Sequence, residues 1–313
     1  MREHYKRGGV GMQGTRTAAA PVADPLGQQA RRRATGLRAF FARLMGTRMA
    51  PVASFIIALL VLTAVFAPII APYGVEEGDF AATLTRPNRE HLMGTDTLGR
   101  DIFSRVIYGS RVSLQVGVIA VGIAMIIGTA FGLVAGYTRI GLLESTIMRA
   151  MDALLAFPTL VLALAITAAL GPSLTNVMIA VGIVGIPGYA RLVRGQVLSV
   201  REREFIEAAR TIGVSDLRIM LRHILPNVTA PLIVQASLGV AFAILSEASL
   251  SFLGLGVQPP TPSWGAMLAF GKDYLNHAPW MAIAPGAAIF ITVLAFNFLG
   301  DGIRDALDPH LHR

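Results

Sequence analysis

Cysteine is absent from this chain of 313 residues, and charged residues make up only 15% of it. Without cysteine, the chain can form no disulfide, thiol nucleophile or thiolate metal site. The absence of cysteine does not by itself indicate the cellular compartment. Soluble domains carry about 25% charged residues. This chain is instead 54% hydrophobic, with a mean hydropathy of +0.60. The composition therefore predicts a membrane protein.

Motifs of several enzyme and binding classes are also missing. No Gly-x-x-x-x-Gly-Lys-Ser/Thr string is present, which predicts that the chain binds no nucleotide itself. There is no Gly-x-Ser-x-Gly turn, and the six histidines lack zinc-protease spacing, so we expect no catalytic residue and no metal site. The net charge of +8 lies in a tail and in loops without interleaved aromatics, so no nucleic-acid partner is expected.

Long apolar segments dominate what is present. About 20 apolar residues cross a bilayer as a helix, and lipid forces the backbone to satisfy its own hydrogen bonds. We therefore predict an all-α polytopic membrane protein with six transmembrane helices. They are expected at about Ala50–Ala71, Ser113–Tyr137, Met148–Leu170, Leu174–Tyr189, Ala230–Leu255 and Trp280–Leu299.

The segments between these helices define the organisation of the chain. The predicted parts are a disordered basic tail (1–36), an interfacial helix with the first span (37–72), an extracytoplasmic segment (73–111), a five-helix core (112–303) and a C-terminal segment (304–313). The interfacial helix is suggested by the helical spacing of Leu37, Phe40, Phe41 and Leu44. An extension of the first span is the alternative. The first span is too long and too far along the chain for a signal peptide, which favours an uncleaved anchor.

The distribution of basic residues predicts the orientation. With the N-terminus inside, 21 of the 27 Lys and Arg residues lie in cytosolic segments, and 73–111 and 257–279 hold the other six. Cytosolic loops are enriched in Lys and Arg. We therefore expect both termini in the cytosol, together with a long polar loop at 191–229.

This loop has the pattern of two short amphipathic helices. Ser199 and Glu202 fit a capping box at the start of the first helix, and Gly213 fits its C-terminal cap. Ser215 could cap the second helix, and Pro226 is expected to end it. The apolar faces are predicted at Phe205, Ala208, Ala209 and Ile212, and at Leu217, Met220, Leu221 and Ile224. Helices this short need a partner, which is either the ends of the membrane helices or another protein.

Charged residues flank these faces. Arg218 and Arg222 lie off the apolar stripe, free to meet acidic groups. Glu207 follows Arg203 by four residues and precedes Arg210 by three. Two interpretations of Glu207 stay open: a docking contact, or surface ion pairs worth a few tenths of a kcal/mol each.

Three further features stand inside the predicted spans. Gly128, Gly132 and Gly136 form a stripe that permits close approach of another helix, although glycine is common in membrane helices anyway. Glu247 is a costly carboxylate at membrane depth, which either faces a translocation path or holds a neighbouring helix through a hydrogen bond. Asp152 lies near the start of the third span, and this position favours a structural role for it.

The loop resembles the cytosolic signature of the membrane subunits of binding-protein-dependent ABC importers. That signature is Glu-Ala-Ala, three residues, Gly, nine residues, Ile, one residue and Leu-Pro. Here it is Glu207-Ala208-Ala209, Gly213 and Leu225-Pro226, with His223 in place of Ile. The string 222–227 (RHILPN) is similar to the dipeptide, oligopeptide and nickel branch. Further strings of that branch are MGTD-LGRD with SR and YG (93–109), EASLSFLGLG (247–256) and PSWG (262–265).

The resemblance covers about residues 40–309, and the early GTD-LGRD string points to the C-type permease. It implies a type I importer transmembrane core in a bacterial inner membrane. It also implies a B-type sister permease, two ATPase subunits that carry ATP and Mg²⁺, and an extracytoplasmic solute-binding protein. The loop would be the coupling element that sits in a groove on the ATPase. Its expected contact residues are Glu207, Ala208, Ala209, Gly213, Ser215, Leu217, Arg218, Leu221, Arg222, His223 and Pro226.

The function predicted from this resemblance is import of di- or oligopeptides. Import of nickel or another small solute by the same kind of transporter is the first alternative. An intramembrane enzyme and an ATP-independent carrier are more distant alternatives.

Overall fold

The computed structural model describes residues 41–47 and 49–307. The chain divides into two compact units, Met1–Phe41 and Ala42–Arg313. The predicted disordered tail lies outside the described residues, as do Leu37 and Phe40 of the predicted interfacial helix. Everything below concerns the second unit.

The second unit is helical throughout its described length, apart from loops and two isolated β-bridges at Gly78–Arg100 and Thr95–Asp101. Residues 42–46 form a short helical segment that precedes the first complete helix. The helices that follow are α1 (Ala50–Val65), α2 (Ala67–Ile70), α3 (Ile102–Tyr137), α4 (Gly141–Leu155), α5 (Thr159–Leu170), α6 (Leu174–Arg201), α7 (Glu204–Thr211), α8 (Asp216–Phe252), α9 (Trp264–Gly271) and α10 (Trp280–Leu307).

The prediction of an all-α membrane protein is confirmed. Within the described residues, α3, α6, α8 and α10 are each long and apolar enough to cross a bilayer. The pair α4 and α5 forms a fifth candidate if its two halves are counted together, and α1 is a shorter apolar helix of 16 residues. The predicted number of six spans is therefore not confirmed by length and composition.

Several predicted boundaries were wrong. The third span is not one helix from 148 to 170, because α4 and α5 meet at an angle of 92° next to Pro158. Proline lacks an N–H and disfavours a helical residue before it, which explains the break. The helix of the second predicted span begins at Ile102 rather than at Ser113, and Asp101 caps it by accepting a hydrogen bond from Ser104 N at 2.7 Å. The fourth span continues to Arg201, with Pro187 inside it.

The core of the bundle lies where α3 packs against α6. The glycine stripe of α3 faces this contact. A Cβ added to Gly128 would lie 2.6 Å from Tyr189 Cβ, and one added to Gly132 would lie 2.7 Å from Val193 Cβ. A Cβ added to Gly136 would lie 2.7 Å from Val197 Cβ. The stripe therefore allows the two backbones to approach more closely than any side chain would permit.

Two ion pairs attach α4 to α6. Asp152 and Arg191 are 2.5 Å apart, and Glu144 pairs with Arg194. Asp152 lies near the end of α4, before the 92° bend, rather than at the start of a continuous span as predicted. Both partners of the Asp152 pair are about half exposed, so the pair orients α4 more than it stabilises the fold.

The long helices α3 and α8 run in opposite directions and fix two ends of the bundle. At one end, which we call the loop end, Tyr137 at the end of α3 contacts Asp216 at the start of α8. At the other end, which we call the string end, Val106 near the start of α3 contacts Trp264 just after α8. The 199–227 loop and the strings at 93–109 and 247–265 thus lie at opposite ends.

Candidate functional site

The first short helix of the loop is α7, and it begins later than predicted. Ser199 lies inside α6, and Glu202 follows the end of that helix, so the predicted capping box at these residues is wrong. The chain turns at Arg203, whose carbonyl accepts from Ile206 N at 2.9 Å, while no side chain caps α7. The helix α6 continues past Ser199 because Val193, Val197 and Val200 are buried against the bundle.

The turn after α7 is a Schellman motif. Gly213 adopts a φ of +81°, the left-handed conformation that its position in the sequence predicts. Its N–H donates to Arg210 O at 3.0 Å, and Val214 N donates to Ala209 O at 3.1 Å. These two bonds satisfy the last carbonyls of α7 and fix the angle at which the chain leaves it.

The second short helix is the beginning of α8. Ser215 stands at the N-cap position but makes no capping hydrogen bond with its side chain. The helix passes through a π-helical turn at Ile219–Ile224 and continues without a break to Phe252. The prediction that Pro226 ends this helix is wrong. Pro226 lies in the first α-turn after the π turn, where its missing N–H is tolerated.

The apolar faces of both short helices point partly outward. Ile206 and Ala209 of α7, with Ile219 and Ile224 of α8, are the residues that pack into the bundle. The predicted faces are mostly solvent-exposed instead, with exposures of 41% at Phe205, 79% at Ile212, 63% at Leu217 and 51% at Leu221. Ala208 is also exposed, whereas Ala209 and Ile224 of the predicted faces are buried. We call the exposed set of Phe205, Ala208, Ile212, Leu217 and Leu221 the outer face.

Tyr137 anchors the loop from beneath. Its hydroxyl donates to Asp216 Oδ1 at 2.5 Å, and the guanidinium of Arg210 lies 5.2 Å from its ring centroid. One aromatic side chain on α3 therefore holds both short helices, through a charge-assisted hydrogen bond and a cation–π contact. Tyr137 is not among the residues predicted from the sequence, although a tyrosine at the last position of an apolar span is a usable signal.

The charges around the outer face are free to meet a partner. Arg218 and Arg222 are exposed, and neither forms an ion pair within the described part of the chain. The carboxylate of Glu207 is exposed too, and no cation of the described residues lies within 4 Å of it. Arg210, its expected ion-pair partner, stacks on Tyr137 instead. The interpretation of Glu207 as one half of a surface ion pair thus loses its support.

His223 and Pro226 complete the loop. His223 is half-buried, and its carbonyl accepts from Asn227 Nδ2 at 2.6 Å. Pro226 is exposed at the side of α8. Both residues follow the outer face in sequence, on the part of α8 that leads into the bundle.

The three other strings meet at the string end. Trp264 is 2% exposed and donates from Nε1 to Val106 O at 2.9 Å. Gly109 permits this contact, because an added Cβ would lie 2.7 Å from Trp264 Cδ1. Gly265 in turn lies against the backbone of Ala248. The strings at 93–109, 247–256 and 262–265 thus form one packed unit, although they are far apart in sequence.

Within the first string, both aspartates organise the backbone. Asp96 accepts from Leu98 N at 2.8 Å and from Arg100 Nε at 2.7 Å. Asp101 accepts from Ser104 N and lies 3.1 Å from His91 Nδ1. Gly94 and Gly99 adopt φ values of +74° and +70°, which explains the glycines of this string.

Glu247 lies in this packed unit and is fully buried. Its Oε1 accepts from Ser251 Oγ at 2.6 Å, and Ser251 Oγ accepts from Val257 N at 3.2 Å. Ser263 also interacts with the carboxyl, although no hydrogen bond of standard geometry reaches Oε2. Glu247 therefore connects α8 to the segment that leads into α9. Of the two roles considered for this residue, the geometry favours the hydrogen bond to a neighbouring element.

Two family profiles match the chain. The profile described as "binding-protein-dependent transport system inner membrane component" matches residues 128–313. The profile described as "N-terminal TM domain of oligopeptide transport permease C" matches residues 36–87.

Individual proteins are similar along most of the chain. A dipeptide transport system permease protein of Alkalihalophilus pseudofirmus is 48% identical over 274 residues, which cover 88% of this chain and 90% of that protein. A glutathione transport system permease protein of Escherichia coli is 48% identical over 273 residues, with 87% and 90% covered. Among solved structures, an inward-facing MetNI methionine ABC transporter matches with a TM-score of 0.54 at 18% identity, over 65% of this chain and 97% of that one. This last likeness shows a fold shared with an ABC importer transmembrane domain.

Proposed function

This chain belongs to the family of binding-protein-dependent transport system inner membrane components, and we propose that it is a permease subunit of an ATP-driven importer of di- or oligopeptides. The family is one of multi-pass inner-membrane transport components, in line with the function predicted from the sequence. The proposed substrate is supported by the dipeptide and glutathione permeases that resemble the chain along nearly nine-tenths of its length.

We propose that the outer face of the 199–227 loop docks on an ATPase subunit. The observation that carries this proposal is an exposed apolar face on a rigid support. Ile212 and Leu217 flank the Schellman turn and are 79% and 63% exposed, while Ile206 and Ile219 beneath them are fully buried. An apolar surface with an arginine and glutamate rim is typical of a protein interface. Because the buried side is packed and Tyr137 anchors both helices, a push on the outer face would move α3, α6 and α8 together.

The same proposal includes the partners and the orientation. ATP and Mg²⁺ would be bound by two partner ATPase subunits, a solute-binding protein would deliver the peptide, and a B-type sister permease would complete the pore. The bias of Lys and Arg supports an orientation with both termini and the loop in the cytosol. The string end would then face the binding protein.

Glu207→Ala tests the docking proposal. Glu207 carries an exposed carboxylate beside the outer face with no ion-pair partner among the described residues, so its loss is expected to weaken binding of the ATPase at least tenfold, or about 1.4 kcal/mol. Co-purification of the ATPase with the permease and peptide uptake by reconstituted vesicles are the measurements.

Glu204→Ala is the matched control, since Glu204 is an exposed carboxylate in the first turn of the same helix. It is expected to bind the ATPase as the wild type does. If both variants recruit the ATPase and import peptide normally, the loop is not the docking element.

A further inference from the structure

A cavity of about 330 Å³ lies in the middle of the bundle, between α3, the bend from α4 to α5, α6 and α8. We call it the central chamber. Most of its wall is apolar, and three polar side chains interrupt it: Thr159, Tyr189 and Gln235. Tyr189 and Gln235 stand near the midpoints of α6 and α8, far from both ends of the bundle.

The polar groups of the chamber do not satisfy one another's hydrogen-bonding capacity. The Tyr189 hydroxyl donates to the backbone carbonyl of Gln235 over a long 3.3 Å. The side-chain amide of Gln235 forms no hydrogen bond with the described residues, and neither does the hydroxyl of Thr159. An unpaired amide in hydrocarbon costs several kcal/mol. The side of Gln235 that faces the chamber therefore has water or a polar occupant against it, rather than lipid.

The chamber is uncharged and open on one side. None of its described lining residues carries a charge. Gly188 lies at the opening, where an added Cβ would meet no atom within 4 Å. A metal ion would find no counter-charge here. Amide donors and acceptors such as Gln235, together with hydroxyls, match the uncharged N–H and C=O groups of a peptide main chain.

We propose that the central chamber is this subunit's half of a peptide-binding station inside the membrane, where Gln235 and Tyr189 bind main-chain amides of the passing substrate. The inference rests on the proposed function, because a peptide must cross the membrane through this bundle. Recognition of the main chain rather than of side chains would let many sequences pass through one chamber. The apolar wall would accept side chains of different sizes without specific contacts.

Gly188→Leu tests the chamber directly. Gly188 is exposed and an added Cβ there meets no atom within 4 Å, so we expect the larger side chain to take the space for the peptide while the fold is retained. The variant is expected to lower uptake of radiolabelled dialanine and trialanine at least tenfold in vesicles that contain the complete transporter. ATP hydrolysis stimulated by peptide-loaded binding protein should remain, because the loop end is untouched.

Gly195→Leu is the matched control. Gly195 lies seven residues further along α6, is exposed as Gly188 is, has no atom within 4 Å of an added Cβ, and does not line the chamber. Normal uptake is expected from it. Normal uptake from Gly188→Leu as well would overturn the chamber proposal while leaving the transport function intact. If the wild-type complex shows neither stimulated hydrolysis nor uptake, the proposed function fails and the chamber proposal fails with it.

A second variant tests the amide. Gln235→Leu keeps the volume but removes the hydrogen-bonding groups, so we expect a severalfold higher KM for transport of trialanine. Transport of a trialanine analogue with an ester in place of one of its two amides should be affected less. Equal effects on the peptide and the ester would overturn main-chain recognition by Gln235.

Discussion

At the scale of single residues, Tyr137 decides how the loop is held. A hydrogen bond to Asp216 and a cation–π contact with Arg210 meet on one side chain. One contact comes from α7, which is too short to be stable alone, and the other from the first turn of α8. A tyrosine on α3 therefore holds α7 and the start of α8 together. The surface ion pair considered between Arg210 and Glu207 does not form among the described residues, and Arg210 lies over the ring of Tyr137 instead.

Tyr137→Phe should loosen the loop without unfolding the bundle. Removing the hydroxyl abolishes the hydrogen bond to Asp216, worth about 1 kcal/mol for a partly exposed pair. Amide hydrogen exchange of residues 204–224 is expected to accelerate about fivefold. Tyr108→Phe on the same helix is the control, since no hydrogen bond of the Tyr108 hydroxyl is found among the described residues. Unchanged exchange in Tyr137→Phe would show that the anchor is elsewhere.

At the scale of elements, the contact between α3 and α6 sets the spacing of the bundle. Gly128, Gly132 and Gly136 of α3 recur at every fourth residue, and each faces α6. This periodicity is visible in the sequence, and so is its function in packing. The partner helix is not visible, since every apolar span offers a similar surface.

Gly132→Ala should weaken this contact. The added Cβ would lie 2.6 Å from Ala190 O and 2.7 Å from Val193 Cβ, so the helices must separate. Overpacking of this kind costs about 1–3 kcal/mol, which lowers the Tm by several degrees for a protein of this size. Thermal unfolding in detergent measures the effect. Gly122→Ala on the same helix meets no atom within 4 Å and should not lower the Tm. A similar decrease in both variants would argue against the stripe.

Prolines show how context changes an element. Pro158 coincides with a 92° bend between α4 and α5, whereas Pro187 lies inside α6 and Pro226 inside the continuous α8. The residue type is the same in all three cases. What differs is that α6 continues through Pro187, and that a π turn precedes Pro226 within α8.

At the scale of the whole molecule, α3 and α8 connect the loop end to the string end. If the outer face docks on an ATPase as proposed, movement applied to it would reach the packed strings through these two helices. Glu247 lies at the far end of this connection, where it bonds to Ser251 and thus to the segment before α9.

Replacement of Glu247 distinguishes structural support from a role in the path. Glu247→Gln keeps an acceptor for Ser251 and should leave the Tm within about 1 °C of the wild type, with uptake retained. Glu247→Ala leaves the Ser251 hydroxyl without its acceptor and should cost about 1–3 kcal/mol. Thermal unfolding and vesicle uptake are measured side by side. Loss of uptake in Glu247→Gln at an unchanged Tm would instead place this carboxyl in the translocation path.

The sequence by itself determined the class of the molecule. Its apolar runs require membrane helices, the Gly213 turn requires a left-handed residue, and the strings around 93–109, 207–226 and 247–265 identify the family. These features are local, because periodicity, backbone conformation and motif spacing are written along the chain.

Only the tertiary structure decided which of two apolar stripes on α7 is buried. Phe205 and Ile206 are neighbours in sequence, yet Ile206 packs into the bundle and Phe205 remains on the outer face. The tertiary structure also brought Tyr137 under the loop and Gln235 beside Tyr189. The physical reason is that burial and contact depend on how whole helices are placed against one another, which the pattern within any one helix leaves open.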